Sequence, residues 1–202
     1  MGLRLHGVRG KRGGVTLEEP SLEDLIRGVL IALEQDPDED VHLRGTPTRV
    51  AQTLIELTTP LEFEFTTFDN RDIDQMIVCR DVPFYSLCAH HLLPFYGKAH
   101  IGYIPDAKLA GLSKLARTVD YFMRGLNIQE QMTKDIMDFL VEHLEPLGAI
   151  VVLEGHHLCM AMRGAETPDH LTTTSALYGV FLDPNKQARN EFFELVRGMN
   201  GK

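Results

Sequence analysis

Two β-rich regions lie on either side of a pair of amphipathic helical segments, and this order limits the possible folds more than any other feature of the chain. The composition and bounding prolines of these regions predict strands over residues 75–82, 97–104, 149–154, 156–163 and 172–182. Apolar residues at helical spacing predict one helix that begins at Ser113 and a second that runs through Ile128 to Leu140, and Asp183-Pro184 marks a final helix. This order indicates an α+β fold.

The N-terminal part of the chain has a different pattern. Residues 1–14 are basic and glycine-rich, and we interpret them as a flexible tail. Ser21 is a suitable N-cap for a helix over residues 22–33, and Thr46 followed by Pro47 marks the start of a second helix. The sequence therefore predicts three parts, which are the tail over 1–14, an N-terminal helical extension over 15–60 and a larger α+β domain over 61–202.

Charge and composition exclude several classes of protein. Twenty Lys and Arg against 29 Asp and Glu give a net charge of −9, which argues against nucleic acid as a partner. No apolar run approaches the roughly 18 residues of a membrane span, and the N-terminus lacks the hydrophobic stretch of a signal peptide. We therefore expect a cytoplasmic protein with no membrane partner, in which the three cysteines stay reduced and are free for catalysis or metal binding.

Cysteine and histidine residues form a pattern that is typical of a zinc site. Cys88 and His91 are three residues apart, a spacing that can place both on one Zn²⁺, and Cys159 would complete a Cys₂His set. A three-ligand site leaves one position open for water, as catalytic zinc requires. The alternative is a closed structural site, in which His90 or His157 supplies a fourth ligand. The remaining cysteine, in the first predicted strand, is expected in the core.

Strand alternation over residues 156–163 predicts a second functional grouping. Side chains alternate between the two faces of a strand, and His156 would therefore point away from its neighbour in sequence. One face would carry His157, Cys159, Ala161 and Arg163. A thiol, an imidazole and a guanidinium on one strand face make a poor core and a good site, although a single His or Cys in a strand is more often structural.

The segment GLSKLAR predicts an anion site. Ser113 and Lys114 lie at a helix N-terminus and Arg117 follows one turn later, so free N–H groups, the helix dipole and two cations would face a phosphate together. An ordinary solvated helix start is the alternative. Glu130, at the start of the following helix, could likewise be a surface acid that complements the helix dipole.

Several separated motifs closely resemble the GTP cyclohydrolase I family, and they occur in the order SLCAHHLLPFYGKAHIGYIPD, GLSKLAR, QEQMT, HHLCMAMRG and TTTSALYGVF. The similarity extends from about Asp36 to Phe193, with TPTRVA as its N-terminal marker. The resemblance implies a tunnelling fold, in which an antiparallel sheet carries a helix pair on one face and several subunits close a β-barrel. It further implies a homo-oligomer, a decamer of two pentamers with sites between subunits, and residues 61–202 as its catalytic domain.

The resemblance also assigns roles to the residues of the candidate site. Zn²⁺ would be the cofactor, held by Cys88, His91 and Cys159. His157 would be the acid/base catalyst and His90 would assist it. The residues that would bind GTP are Glu130 for the guanine, Ser113, Lys114, Arg117 and Arg163 for the triphosphate, and Arg49, which would reach in from a neighbouring chain. Thr172, Thr174 and Ser175 match a Thr/Ser-rich loop near the pocket and have no assigned role.

The reaction that the resemblance implies is hydrolytic opening of the guanine imidazole ring of GTP, with loss of C8 as formate and formation of 7,8-dihydroneopterin triphosphate. The sequence departs from the family pattern at Ala89, at His156 and at His170-Leu171, and MRGLNIQEQ lacks an arginine that the family often has before the Gln-Glu pair. Two alternatives remain open at this stage. One is a relative of the same fold that acts on another purine or on a pterin, and the other is a catalytically silent zinc-binding oligomeric partner.

Overall fold

The computed structural model describes residues 19–198, and these residues form a mixture of helices and strands, as the α+β prediction requires. The chain divides into two compact units, Met1–Leu54 and Ile55–Lys202. The helices are α1 (Leu22–Ala32), α2 (Thr46–Thr58), α3 (Leu112–Met123), α4 (Gln129–Leu144), α5 (Leu158–Ala161) and α6 (Gln187–Arg197). The strands are β1 (Thr67–Asp69), β2 (Ile77–Cys88), β3 (Pro94–Ile104), β4 (Lys108–Ala110), β5 (Leu126–Asn127), β6 (Gly148–His157) and β7 (Thr172–Gly179).

The first unit contains α1 and most of α2. Helix α1 begins as predicted, because the Ser21 hydroxyl accepts a hydrogen bond from the Asp24 amide and the Asp24 carboxylate accepts one from the Ser21 amide. The Asp24 carboxylate also accepts a hydrogen bond from the Ser21 hydroxyl, and this bond together with the one from the Ser21 amide lowers the pKa of Asp24. In the first turn of α2, the Arg49 guanidinium donates a hydrogen bond of 2.9 Å to the Thr46 hydroxyl. The two predicted N-terminal helices are therefore confirmed.

The second unit is built on a five-stranded sheet with the strand order β5-β2-β3-β6-β7. Strand β5 runs parallel to β2, and the other neighbours are antiparallel. Strands β1 and β4 form a separate antiparallel pair. The long β2–β3 hairpin extends well beyond the predicted segments at the end where Cys88 lies. The ends of β2 and β6 therefore reach the same edge of the sheet.

The helices α3 and α4 pack on one face of this sheet, and buried residues such as Leu115 and Ile136 join Phe84 and Phe95 in the larger core. On the opposite face a smaller core forms around Phe181 and Phe192, the latter from α6. Strand β6 contributes side chains to both cores, which explains its unbroken apolar sequence. No helix in residues 19–198 has the length and apolar character needed to cross a membrane.

Two sequence predictions are wrong in this unit. The chain from residue 148 forms one strand to His157 and then the helical turn α5, so the predicted break before residue 156 and the predicted strand over 156–163 do not exist. The ladder ends where Phe95 pairs with His157, because the next residue of β3 is Pro94, which has no N–H to donate. Leu, Met and Ala are good helix formers and take over from there.

The final helix also starts later than predicted. Asp183 accepts a backbone hydrogen bond from Lys186 in a turn, and α6 begins only at Gln187. Lys186 has a positive φ of 57°, which separates the turn from the helix. The prediction of a helix after the last strand is confirmed, and its start is displaced toward the C-terminus.

Candidate metal centre and active site

Three sulfur and nitrogen donors meet at the edge where β2 and β6 end. Cys88 is the last residue of β2, His91 lies in the turn of the hairpin, and Cys159 lies in α5. Their ligand atoms all lie within 4.8 Å of one another, and the Cys88 Sγ and His91 Nδ1 atoms are 3.8 Å apart. The structure therefore brings together the three residues that the sequence suggested as metal ligands.

Local backbone geometry explains this convergence. The Cys88 carbonyl accepts hydrogen bonds from the amides of His91 and Leu92, which folds the chain back on itself after β2. Leu92 has a φ of 56°, and the Cys88 amide donates to the Leu93 carbonyl to close the turn. On the other side, the change from β6 to α5 brings Cys159 next to Cys88. Had β6 continued as a strand, Cys159 would have followed His157 along the sheet.

The donor set fits a zinc ion. Neighbouring ligand atoms of a tetrahedral zinc lie about 3.5–3.8 Å apart, given bonds of about 2.3 Å to sulfur and about 2.0 Å to nitrogen. Cys88 is buried, Cys159 is half-buried and His91 is exposed, so the group is accessible from one side. Within residues 19–198, no other group of three His, Cys, Asp or Glu residues has this proximity. Burial and the neighbouring Cys88 raise the pKa of the Cys159 thiol, so binding a metal there releases a proton.

The two suggested fourth ligands differ in their surroundings. The Nδ1 atom of His90 lies 3.9 Å from the Cys88 sulfur, so this imidazole is close to the donor set. The Nε2 atom of His157 instead makes a hydrogen bond of 2.8 Å with the Gln129 side chain. His90 is therefore the stronger candidate if the site is closed.

His157 is the last residue of β6, two residues before Cys159, and its ring is fixed on two sides. The ring stacks on Phe95, with centroids 4.6 Å apart and planes 3° from parallel, and Gln129 holds its edge. Burial lowers the pKa of His157, and the nearby Glu130 opposes this effect in part. The pKa lies below its ordinary value, so the neutral imidazole is favoured. His156 points to the opposite face of β6, next to Tyr96, as strand alternation predicted.

The other predicted site residues fall into three places. Glu130 is close enough to His157 to affect its pKa, and Arg163 has the same relation to Cys159. Arg163 follows α5, so it reaches this region by a helical turn and not by the predicted strand face. Ser113, Lys114 and Arg117 lie in the first turns of α3, as predicted. Arg49 belongs to the first unit of the chain.

Gln129 is a site residue that was not predicted from the sequence; it is only 1% exposed and contacts both β6 and β7. A signal was present in the sequence. Gln129 begins the apolar stripe of α4, followed at helical spacing by Met132, Thr133, Ile136 and Leu140, which are all buried. A buried amide on an apolar stripe needs polar partners, and this indicates a role beyond packing.

Comparisons with known proteins agree over nearly the whole chain. The model of the family described as GTP cyclohydrolase I matches residues 22–197. GTP cyclohydrolase 1 of Aquifex aeolicus is 46% identical over 186 residues, which cover 92% of this chain and 100% of that protein. GTP cyclohydrolase 1 of Thermobifida fusca is 44% identical, with 90% of each chain covered.

A more distant Bacteroides fragilis relative, also named GTP cyclohydrolase 1, is 42% identical over 88% of this chain and 94% of its own length. Among solved structures, an archaeosine synthase QueF-Like in the apo form has a TM-score of 0.43 at 15% identity. That similarity covers 52% of this chain and 93% of the other.

Proposed function

The chain belongs to the GTP cyclohydrolase I family and is an enzyme of that class, and from this premise we propose that it opens the imidazole ring of GTP by hydrolysis at the Cys88, His91 and Cys159 centre. The products would be formate and 7,8-dihydroneopterin triphosphate. The observation that carries the proposal is the position of His157, an oriented imidazole that favours its neutral form and lies two residues before Cys159 of the three-donor group.

Zinc, when bound by these three residues, supplies a Lewis acid and lowers the pKa of a coordinated water toward about 7. The protein residues then determine where protons and charges go. His157 accepts and returns protons as the C8–N9 bond of the guanine breaks. The Glu130 carboxylate accepts hydrogen bonds from N1–H and the 2-amino group of the guanine, and so fixes C8 in front of His157. His90 assists in the same pocket.

The triphosphate would lie along cationic residues. Ser113 and Lys114 present the uncapped N-terminus of α3, where Gly111 has no side chain to occupy the free N–H groups. Arg117, one turn further, and Arg163, after α5, add charge-assisted hydrogen bonds. These cations offset the substrate charge locally, although the chain as a whole carries −9.

We further propose the assembly that the family resemblance implies. The chain would adopt the tunnelling fold, with the sheets of several copies closing a barrel in a decamer of two pentamers. Arg49 of a neighbouring chain would complete each site, residues 61–202 would form the catalytic domain and residues 15–60 its extension. The cytoplasm is the suitable compartment, because all three cysteines of the structure are free and two of them are needed as thiolates.

The test is direct turnover. Purified zinc-loaded protein should convert GTP to equimolar formate and a fluorescent pterin, and the same protein should release no formate from ATP, whose adenine cannot satisfy Glu130. Turnover of a different purine or of a pterin, with GTP unreactive, would assign the chain to another substrate. An oligomeric, zinc-loaded protein that leaves all of these compounds unchanged would be a silent zinc protein and would contradict the proposal.

A further inference from the structure

Gln129 joins the start of α4 to the ends of two strands and to His157. The two N–H groups of its side-chain nitrogen are shared among three acceptors, the Leu153 carbonyl at 3.2 Å, the Thr172 carbonyl at 3.0 Å and the Thr174 hydroxyl at 3.1 Å. Its Oε1 atom lies 2.8 Å from His157 Nε2. One buried amide therefore connects α4, β6 and β7 to the ring of the proposed acid/base residue.

A glycine makes room for this amide. A Cβ atom placed on Gly155 would lie 2.3 Å from the Gln129 Oε1 atom and 3.2 Å from its Cδ atom. Both distances are too short for the amide to stay where it is. Gly155 pairs with Gly97 of β3, two residues before the end of β6. The contact between Gln129 and His157 therefore requires that residue 155 has no side chain.

The directions of the hydrogen bonds follow from the neighbouring groups. The Thr133 hydroxyl donates its proton to the Gln129 backbone carbonyl at 2.7 Å. Because that proton is used, the Thr174 hydroxyl must donate in its 2.6 Å contact with Thr133, and it is then free to accept from Gln129. Two backbone carbonyls also face the same Gln129 atom, so that atom must be the nitrogen. The amide cannot be turned over without placing oxygen against oxygen.

The amide orientation in turn determines the His157 tautomer. The Gln129 Oε1 atom can only accept, so the His157 Nε2 atom must carry a proton and donate to it. In the neutral ring, Nδ1 is then the nitrogen with a free lone pair. The stacked Phe95 ring prevents the imidazole from tilting away from this arrangement.

We propose that Gln129 is a positioning residue that holds His157 in the Nε2–H tautomer, so that Nδ1 is the atom that exchanges protons with the substrate. The inference rests on the function proposed above for the same site. It does not depend on the metal, because every contact that carries it joins residues of this chain. Gln129 acts through His157 and needs no contact with GTP of its own.

The first test compares Gln129→Met with the parent enzyme. Methionine fills a similar volume but neither accepts from His157 nor donates to the strands. Because positioned acid/base groups contribute about 10²–10⁴-fold and only their orientation is lost here, kcat should fall about 10- to 100-fold. The KM for GTP and the zinc content per chain should stay near the parent values. A kcat within a factor of about two of the parent would contradict the proposal.

Gly155→Ala is an independent variant, because it keeps the Gln129 side chain but places a methyl group in the space that the Gln129 amide occupies. It should give the same selective loss of kcat. Ile136→Val, a change in a fully buried side chain of the same helix, serves as the control for lost stability and should retain the parent kcat. If kcat falls in proportion to the melting temperature in both Gln129→Met and Ile136→Val, the effect of Gln129→Met is structural and the proposal fails.

The second test observes the tautomer itself. ¹⁵N spectra of histidine-labelled, zinc-loaded protein, compared with His157→Gln to identify the signal, should show a protonated Nε2 and an unprotonated Nδ1 for His157. Gln129→Met should show a mixture or the opposite form. A parent His157 that is protonated at Nδ1 alone would overturn the proposal. This spectrum needs no turnover, so it remains decisive even if the protein proves inactive toward GTP and the proposed function fails.

Discussion

The edge of the sheet that carries the metal-binding group and the cationic first turns of α3 belong to the same unit but are built differently. At the sheet edge, His157 is held by a ring stack and a hydrogen bond, and Cys88 by a closed backbone turn. Ser113 and Arg117 are exposed, and in the described residues neither they nor Lys114 make a side-chain hydrogen bond or ion pair.

This contrast separates two tasks. Groups that stabilise a transition state act best when they are fixed beforehand, and the sheet edge is fixed by contacts within the chain. Cations that bind a triphosphate can be ordered by the ligand itself, at a cost in side-chain freedom that the charge-assisted bonds offset. Changes at the sheet edge should therefore affect chemistry, whereas changes on α3 should affect binding.

The largest effect is expected from Cys159→Ser. A serine hydroxyl is a poor zinc ligand, so the variant should lose both its zinc and its GTP turnover to below detection. Zinc per chain by elemental analysis and formate release measure the two losses. Cys79→Ala is the matched control, since this cysteine lies in β2 away from the metal-binding group and packs against the larger core. Full activity in a Cys159→Ser protein shown to be metal-free would contradict the metal mechanism.

A large loss of rate with intact metal is expected from His157→Gln. The kcat should fall about 10²–10⁴-fold while zinc content stays at the parent level. His156→Gln changes the next residue, whose side chain lies on the other face of β6, and should retain the parent rate. Equal losses in both variants would mean that the end of β6 matters for folding and not for proton transfer.

On α3, the expected effect is on affinity. Lys114→Ala should weaken GTP binding by about 1.5–3 kcal/mol, which is about 10- to 150-fold, because one charge-assisted contact is lost. Guanosine has no phosphates, so its binding should not change. Lys134→Ala removes an exposed lysine paired with Asp138 on α4 and is the control for a simple change of net charge. Equal weakening of GTP and guanosine would assign Lys114 to folding or to base contacts.

The smallest expected effect is a partial recovery of GTP turnover in mixed oligomers, which tests whether each site is shared between two chains. Arg49→Ala and His157→Ala should each be inactive, and co-expression should restore about a quarter of the parent activity if copies mix at random and each site uses two chains. Light scattering establishes that mixed oligomers have formed. Mixed oligomers without activity would mean that Arg49 does not complete a neighbour's site.

The sequence predicted the parts of this site that depend on nearby residues. Cys88 and His91 are close in the chain, and a tight turn after a strand brings them together whatever the rest of the fold does. The α+β class and the helix starting near Ser113 also follow from local periodicity, and the structure confirms them. The grouping of Cys159 with these residues came from ligand chemistry and is likewise observed.

The features of the site that were not predicted from the sequence depend on contacts between residues far apart in the chain. The segment after His157 fits both a strand and a helix, and its state is decided by Pro94 on the neighbouring strand, which ends the ladder. The burial of Gln129 depends on Gly155 and on acceptors in β6 and β7. The end of the ladder leaves no local pattern in the sequence. The apolar stripe of α4 indicates a buried Gln129 but not its partners, which are visible only in the folded chain.

The central claim, a three-ligand zinc centre with one open position, is tested most directly by the X-ray absorption spectrum at the zinc edge of the purified protein without GTP. A zinc ion held by Cys88, His91 and Cys159 alone should show two sulfur neighbours at about 2.3 Å, one imidazole nitrogen and one oxygen that does not come from the protein. Two sulfur atoms with two imidazoles would instead mean that His90 closes the site as a structural centre. That result would contradict the proposed chemistry.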